Sequence, residues 1–470
     1  MASPMDLELI LTKGLGNASF LIGAGREAVV IDPPRDAWRV MAAAEARGWR
    51  ITHVLETHVH NDYLSGALEL RSAVGSEILA PARGRYGFAH RPMDEADSLD
   101  IDALRLTARA TPGHTPEHLS WELSTEDGGP PSAIATGGSL LVGSAGRTDL
   151  LGDEATDELT RAQFRSLRAL ADLPDEVVVL PTHGAGSFCS VGPADAGRTT
   201  TIGRERAHNP MLAIDDEEAF RVALLDGLGP YPSYYAEMAP INRAGPVVVG
   251  RLLETPRIGP DAVRAAMAGG AHVVDGRSRT TFAAGHIRGS LNIELGESFA
   301  SYVGWFVPFG APIVLILPEP LEESAEEAAS DLFRIGYDRI IGVLEAGVEA
   351  WVDGGGTLGT YQVTTGTAAR DEVAGGARPL LLDVRYPYEW RDDGSVPDAI
   401  ELTIGELEGR MDTLPRDAPI TVMCKSGSRA SIAASMLDAA GFDVRLVARG
   451  GAPDLVTPDQ AASGIAARKR

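Results

Sequence analysis

The chain has 470 residues, 44% of them apolar, which is more than one hydrophobic core organises and points to a soluble-type globular protein of several domains, neither disordered nor fibrous. Its 42 basic against 66 acidic residues give a net charge of −24, which argues against broad binding to nucleic acid or to an anionic membrane. The start lacks a basic segment followed by a long apolar one, no apolar run reaches the roughly 18 residues of a membrane span, and the two cysteines lie far apart, so a cytoplasmic protein without a disulfide framework is expected.

From Leu7 to Asp32 the text reads as two strands with glycine punctuation, then a helix over Asp36 to Gly48 and a strand over Ile51 to Leu55, an α/β beginning. Directly after that strand comes Thr57-His58-Val59-His60-Asn61-Asp62, two histidines and a carboxylate crowded into five residues, a spacing that suggests a metal site. Asp62 is then expected to open a helix carrying Leu64, Ala67, Leu68 and Arg71 at helical spacing.

Three later stretches repeat the pattern of polar residues just beyond an apolar strand. Thr111-Pro-Gly-His114 follows the alternating Leu104–Ala108, Thr136–Asp149 carries a glycine-rich turn, and His183 follows Val177–Leu180. His118, four residues past His114, reads as a candidate supporting residue. Cys189 has no neighbouring base or cation in sequence and is expected to be a buried structural thiol, while His53, His90, His208 and His272 lack any motif. Between Tyr231 and Thr255 a proline-, glycine- and tyrosine-rich segment reads as a connection that packs, not as a loose linker.

The rest of the chain contains an internal repeat. Ala271–Arg277 matches Pro379–Arg385, Ala311–Leu317 matches Ala418–Cys424, and Gly336 matches Gly441. Strands alternate with helices in each copy, which implies a parallel sheet covered on both faces. In the second copy Cys424-Lys-Ser-Gly-Ser-Arg429 stands between a buried strand and a helix over Ala430 to Ala440. Backbone N–H groups and the helix N-terminus are expected to surround the sulfur there, with Lys425 and Arg429 adding positive charge that favours the thiolate. In the first copy Leu317 stands in the place of Cys424 and Glu322 in that of Arg429, so a structural or binding role is expected for it.

The histidine stretches together resemble the metallo-β-lactamase superfamily, within it the glyoxalase II and persulfide dioxygenase branch, and both repeats resemble rhodanese domains. The resemblance implies an αβ/βα sandwich over 1–245, with a connector at about 231–255, then three-layer α/β rhodanese-like domains over 256–358 and 359–470. It implies a metal held by His58, His60 and His114, with Asp62 and His183 as supporting residues or the remnant of a second metal position, and a persulfide formed on Cys424. The bridging carboxylate of that family is replaced by Gly138, and the histidine expected after Asp62 by Tyr63. One divalent ion, Fe(II) or Zn(II), is therefore expected, bound weakly or not at all, and restoring an aspartate at position 138 is expected to strengthen it. The implied activity is oxidation of a low-molecular-weight thiol persulfide coupled to sulfur transfer through Cys424. Alternatives are a metal-dependent hydrolase of the glyoxalase II kind and a sulfur-carrier scaffold. The expected partner is a thiol persulfide or another sulfane-sulfur donor, without nucleic acid or membrane, in a possible homo-oligomer.

Overall fold

A computed structural model describes residues 6–125, 129–192 and 195–456. Its contacts divide the chain into two units, Met1–Leu252 with Ser330–Gly336, and Leu253–Ala329 with Tyr337–Arg470.

The first unit opens with strands β1 (Asp6–Thr12), β2 (Asn17–Ala24) and β3 (Glu27–Ile31), followed by α1 (Trp38–Ala46), β4 (Arg50–Leu55), α2 (Ala67–Val74), β5 (Glu77–Pro81) and β6 (Arg91–Met93). These strands form one sheet in chain order, antiparallel from β1 to β3 and parallel from β3 to β6. The reading of two strands before Asp32 missed one, because the reversal between β1 and β2 takes only residues 13–16. A second sheet holds β7 (Ser98–Ile101), β8 (Leu104–Ala110), β9 (Leu119–Ser124) and β10 (Ala133–Gly137). After a small hairpin, β11 (Leu140–Leu141) with β12 (Ser144–Ala145), come α3 (Asp153–Ala171), β13 (Val178–Pro181) and β14 (Thr200–Thr201), the last two completing that sheet in the order β14-β13-β10-β9-β8-β7. Helices α4 (Ile202–His208), α5 (Glu217–Asp226) and α6 (Tyr235–Ala244) follow.

Period-2 alternation decides what each strand buries. Phe20, Ile22, Val29 and Ile31 face the second sheet and pack with Leu106, Trp121 and Leu123, whereas Leu21, Ala28 and Val30 face the other way onto Val40 and Leu70. Ile134 and Val179 turn outward to Leu167, Leu170, Phe220 and Leu224. The result is helix, sheet, sheet, helix. Each buried Leu, Ile or Phe contributes about 1.5–3 kcal/mol, so the inter-sheet cluster stabilises the scaffold under the site. The carboxyl ends of β3, β4, β8, β10 and β13 open into the loops that carry Asp32, Thr57–Asp62, His114, Gly138 and His183.

The second unit contains the repeat as two five-stranded parallel sheets. The first copy runs through β15 (Arg257–Ile258), α7 (Pro260–Ala268), β16 (His272–Asp275), α8 (Arg279–Ala284), β17 (His286–Ile287), which lies outside the five-stranded sheet, β18 (Leu291–Asn292), α9 (Phe299–Phe306), β19 (Ile313–Ile316), α10 (Leu321–Arg334) and β20 (Ile340–Leu344). The second follows α11 (Gly347–Asp353) and β21 (Leu358–Gly359): β22 (Gln362–Thr365), α12 (Gly366–Ala374), β23 (Leu380–Asp383), α13 (Pro387–Asp393), β24 (Ile400–Glu401), α14 (Leu407–Arg410), β25 (Ile420–Met423), α15 (Ser428–Ala439), β26 (Val444–Arg449) and α16 (Ala452–Leu455). The sheet orders β15-β20-β19-β16-β18 and β22-β26-β25-β23-β24 superpose position by position. The matching sequence clasps match in structure too: Asp275 pairs with Arg277, which donates to the Gly285 carbonyl at 2.9 Å, and Asp383 pairs with Arg385, which donates to the Gly394 carbonyl at 2.9 Å.

Candidate metal centre and cysteine loop

The loop after β4 does not lead into a helix at Asp62 as expected; α2 begins at Ala67. Its backbone groups find partners elsewhere. The Asn242 amide in α6 donates to the carbonyls of His60 and Tyr63, each at 2.8 Å, and accepts from the Ser65 N–H at 2.9 Å, while the Tyr234 hydroxyl donates to the Asp62 carbonyl at 2.8 Å. With these satisfied, the segment stays irregular although buried.

Hydrogen bonds set the tautomers of three imidazoles. His58 Nδ1 lies 2.8 Å from the Thr57 hydroxyl, whose single proton goes to Asp32 at 2.7 Å, so His58 Nδ1 is the donor. His114 Nδ1 lies 2.7 Å from the Arg147 carbonyl, which only accepts. His183 Nδ1 lies 3.0 Å from Asn17 Oδ1, because the Asn17 amide donates to Asp62 at 2.8 Å. Each ring therefore presents a bare Nε2. One ring nitrogen from each of the three lies within 4.8 Å of the others, and the Nε2 atoms of His58 and His183 are 3.3 Å apart. His114 Nε2 is buried without a hydrogen-bond partner. Burial pushes His58 well below the ordinary imidazole range and His114 down to about 3, so both stay neutral and able to bind a cation.

Of the expected His58, His60 and His114, the first and last belong to this grouping, and His58 and His60 also lie together with Asp32 within 4.8 Å. His60 turns its Nε2 toward Glu56 at 3.0 Å, Asp32 at 3.3 Å and the Tyr63 hydroxyl at 3.1 Å, and leaves its Nδ1 buried without a partner. Burial opposes its charge, but Asp32 and then Glu56 raise its pKa to about 10. His60, Asp62 and His183 form a third group within 4.8 Å, sharing His183 with the first, and Asp62 Oδ1 too is buried without a partner. Burial raises the Asp62 carboxyl, yet His183 outweighs it and holds the group down at about 2.

The surroundings of Gly138 bear on the expectation about a restored aspartate. A Cβ built on Gly138 would stand 2.2 Å from His114 Cδ2 and 2.7 Å from its Nε2, so the imidazole occupies the space that a carboxylate would need. His118 supports this turn: its Nδ1 donates to the Thr111 hydroxyl at 2.8 Å and its Nε2 accepts the Gly138 N–H at 3.0 Å. Arg147 braces the opposite wall, paired with Asp149 at 2.7 Å and donating to the carbonyls of Phe188 and Gly229, each at 2.8 Å. Asp32, Glu56, Thr57, Asn17, Arg147 and Asn242 were not singled out from sequence. Only Arg147 and Asp149 carried a local signal, an opposite-charge pair beside the glycine turn. Cys189 is buried near the Tyr235 hydroxyl, 3.9 Å away, and burial pushes its thiol well up.

In the second unit the Cys424 loop joins β25 to α15. Gly427 adopts φ +96°, a left-handed conformation that glycine takes readily, and its N–H reaches Cys424 Sγ at 3.1 Å. Arg429 is committed to Glu389 through two bonds of 2.5 and 2.7 Å and lies 4.5 Å over the Tyr386 ring. Burial opposes its charge, but Glu389 and Cys424 hold it firmly protonated. Lys425 points outward to Asp393 at 3.1 Å and is exposed. The backbone donor therefore touches the sulfur, Arg429 acts from a carboxylate-balanced position, and Lys425 is drawn away by Asp393. In the first copy buried Leu317 follows β19 where Cys424 follows β25.

A two-sheet sandwich with clustered histidines at its strand ends, joined to two parallel-sheet repeats of which one carries a cysteine loop, defines the class. Residues 12–183 match the family described as the metallo-beta-lactamase superfamily, and 259–353 and 367–452 each match the rhodanese-like domain. The chain is 35% identical over 190 residues to a hydroxyacylglutathione hydrolase of Cereibacter sphaeroides, covering 38% of this chain and 67% of that one, and 36% identical over 223 residues to one of Methylobacillus flagellatus, covering 47% and 79%. It is 28% identical over 214 residues to the human mitochondrial persulfide dioxygenase, covering 43% and 74%. A solved metallo-β-lactamase structure from Staphylococcus aureus aligns with a TM-score of 0.65 at 29% identity, covering 73% of this chain and 99% of that one. The protein belongs to the metallo-β-lactamase superfamily and carries two rhodanese-like domains. Among the described residues no helix is long and apolar enough to cross a membrane.

Proposed function

We propose that the chain is a sulfur-handling enzyme in which Cys424 accepts sulfane sulfur from a low-molecular-weight thiol persulfide or related donor, and the histidine cluster holds one divalent ion for oxidation of such a persulfide. The observation that carries the transfer half is the Gly427 N–H at 3.1 Å from Cys424 Sγ, at the mouth of a twelve-residue helix. The Cys424 thiolate attacks the outer sulfur of R–S–SH. The S–S bond to R breaks, RS⁻ leaves with the electron pair, and Cys424–S–SH remains. The loop donors stabilise the anionic sulfur before and after transfer, and Arg429, balanced by Glu389, keeps positive charge beside it. Cyanide-dependent thiocyanate formation tests this half: wild type forms it, and equal rates in Cys424→Ser exclude it.

The metal half rests on the three bare Nε2 atoms of His58, His114 and His183. Two unprotonated nitrogens 3.3 Å apart repel unless a cation lies between or beside them, and the donor set suits Zn(II) or Fe(II) with open positions. A bound ion would supply Lewis acidity, and iron would add redox chemistry with dioxygen. This chain's residues orient the rings: Thr57, Asn17 and the Arg147 carbonyl fix which nitrogen is bare. An all-imidazole set without a carboxylate at position 138 also favours a second reading, zinc-dependent thioester hydrolysis as in the hydroxyacylglutathione hydrolases it resembles. Elemental analysis after purification without added metal, with oxygen uptake on a thiol persulfide, separates them: iron with uptake supports the first, zinc with thioester turnover the second.

A further inference from the structure

We infer that the first rhodanese-like copy, which lacks the cysteine, is a positioning partner of the second, and that Arg279 in the first copy sets the conformation of the Cys424 loop. The inference rests on the reading of Cys424 as the sulfur carrier and says how that site is held.

The starting observation is that α15 has no solvent side: every residue from Arg429 through Leu437 is buried, including the hydroxyls of Ser431 and Ser435. A helix at the surface of a three-layer domain ordinarily keeps one polar face wet. Here that face meets the first copy. Ser435 Oγ accepts the Asn292 N–H at 3.0 Å, Ser431 donates to Asn292 Oδ1, and Asp438 near the helix end pairs with His286 at 3.0 Å. Both serines thus find partners that the second copy alone does not offer them, apart from the Ser435 bond to the Ile432 carbonyl.

At the other end of α15 the contact reaches the loop itself. Arg279 Nη1 donates to the Ser426 carbonyl at 2.6 Å, and its other amine pairs with Glu294. A Cβ on Gly427 would stand 2.3 Å from that same Nη1, so the guanidinium lies directly against the residue whose N–H points at the sulfur. Ser426 C=O and Gly427 N–H belong to one peptide plane. Holding the carbonyl with a cation therefore aims the opposite N–H at Cys424 Sγ. Glu294 keeps Arg279 in place from within the first copy, through its bond to the Arg279 N–H at 2.7 Å as well. Buried Tyr302 of α9, also from the first copy, lies within electrostatic reach of Arg429, Cys424 and Glu389. The first copy has lost its nucleophile and kept the surface that shapes its partner's.

The test uses the full chain and reads Cys424 alkylation by iodoacetamide from the mass of its peptide, which requires no sulfur donor and so stands whether or not the transfer reading holds. Arg279→Ala is expected to slow alkylation by on the order of tenfold, the worth of one hydrogen bond to a charged group, and to lower kcat of sulfur transfer with KM for the donor unchanged. Arg279→Met, which keeps the stem and its packing, carries the same expectation if the alanine variant does not fold. Arg279→Lys, still able to donate to Ser426, recovers most of the rate. Asp438→Asn, which cuts the tie at the far end of α15, leaves it near wild type. Wild-type alkylation in Arg279→Ala or Arg279→Met, an equal loss in Asp438→Asn, or a raised KM with unchanged kcat would each overturn the inference.

Discussion

The histidine cluster and the cysteine loop are built with opposite polarity. In the first, every local hydrogen bond consumes a proton on the outer side of a ring, so that His58, His114 and His183 present lone pairs to one another. In the second, a backbone proton is turned inward onto a sulfur, with a guanidinium nearby. One site is an array of acceptors that suits a cation, the other an array of donors that suits an anion. The sign of what each binds follows from which side of the hydrogen bond the protein has used up.

The largest effect expected of this contrast is at Cys424. Cys424→Ser removes the sulfur and should abolish cyanide-dependent sulfur transfer, while Cys189→Ser, at a buried thiol pushed well up by burial, should leave it largely intact; thiocyanate release measures both. Next is the cation side. His114→Ala and His183→Ala should each lower the metal content of the purified chain most of the way to background, read by elemental analysis against wild type. Two tightly bound ions would mean that the His60, Asp62 and His183 group is filled as well.

Gly138→Asp sharpens the contrast by adding an anion to the acceptor site. The added side chain meets the His114 ring at 2.2 Å, so metal occupancy should fall several-fold instead of rising; a rise would show that the ring yields and the carboxylate coordinates. The smallest effect is on pH dependence of the metal-free chain. His114 accepts a proton in the unfolded chain below its ordinary 6.5 but in the folded chain only near 3, so the unfolded state binds more protons between those values and stability declines as pH falls across them. Asp62, held at about 2 against 3.8, acts in the same direction over its lower window. Urea midpoints should fall through this range, and His114→Gln should make the fall shallower.

The layers of the first unit were legible because alternating strands and a helix of ordinary length announce themselves locally, and the repeat was legible because two segments share an Asp-x-Arg clasp and an apolar strand at equal spacing. His58, His60, His114 and Cys424 stand out in the sequence for the same reason: each lies shortly beyond an apolar strand. What could not be read was rotation. Whether His60 turns its Nδ1 or Nε2 toward the cluster depends on Asp32 and Glu56, and which residue completes the trio depends on Asn17, 166 positions from His183. Nor does any spacing reveal that Arg279 touches a loop 147 residues later. The helix expected at Asp62 failed for a similar cause, since Asn242 supplies from a distance the partners that a helix would have supplied nearby.

That last clamp bears on the order in which the molecule is made. The carbonyls of His60 and Tyr63 wait for an amide 182 and 179 residues downstream. A chain growing from its amino end has both sheets, all their strands and every histidine of the cluster in hand before Asn242 exists. Until then those carbonyls lack their final partners. The loop that carries His58 and His60 can therefore take its final geometry only after Tyr234 and Asn242 have been made.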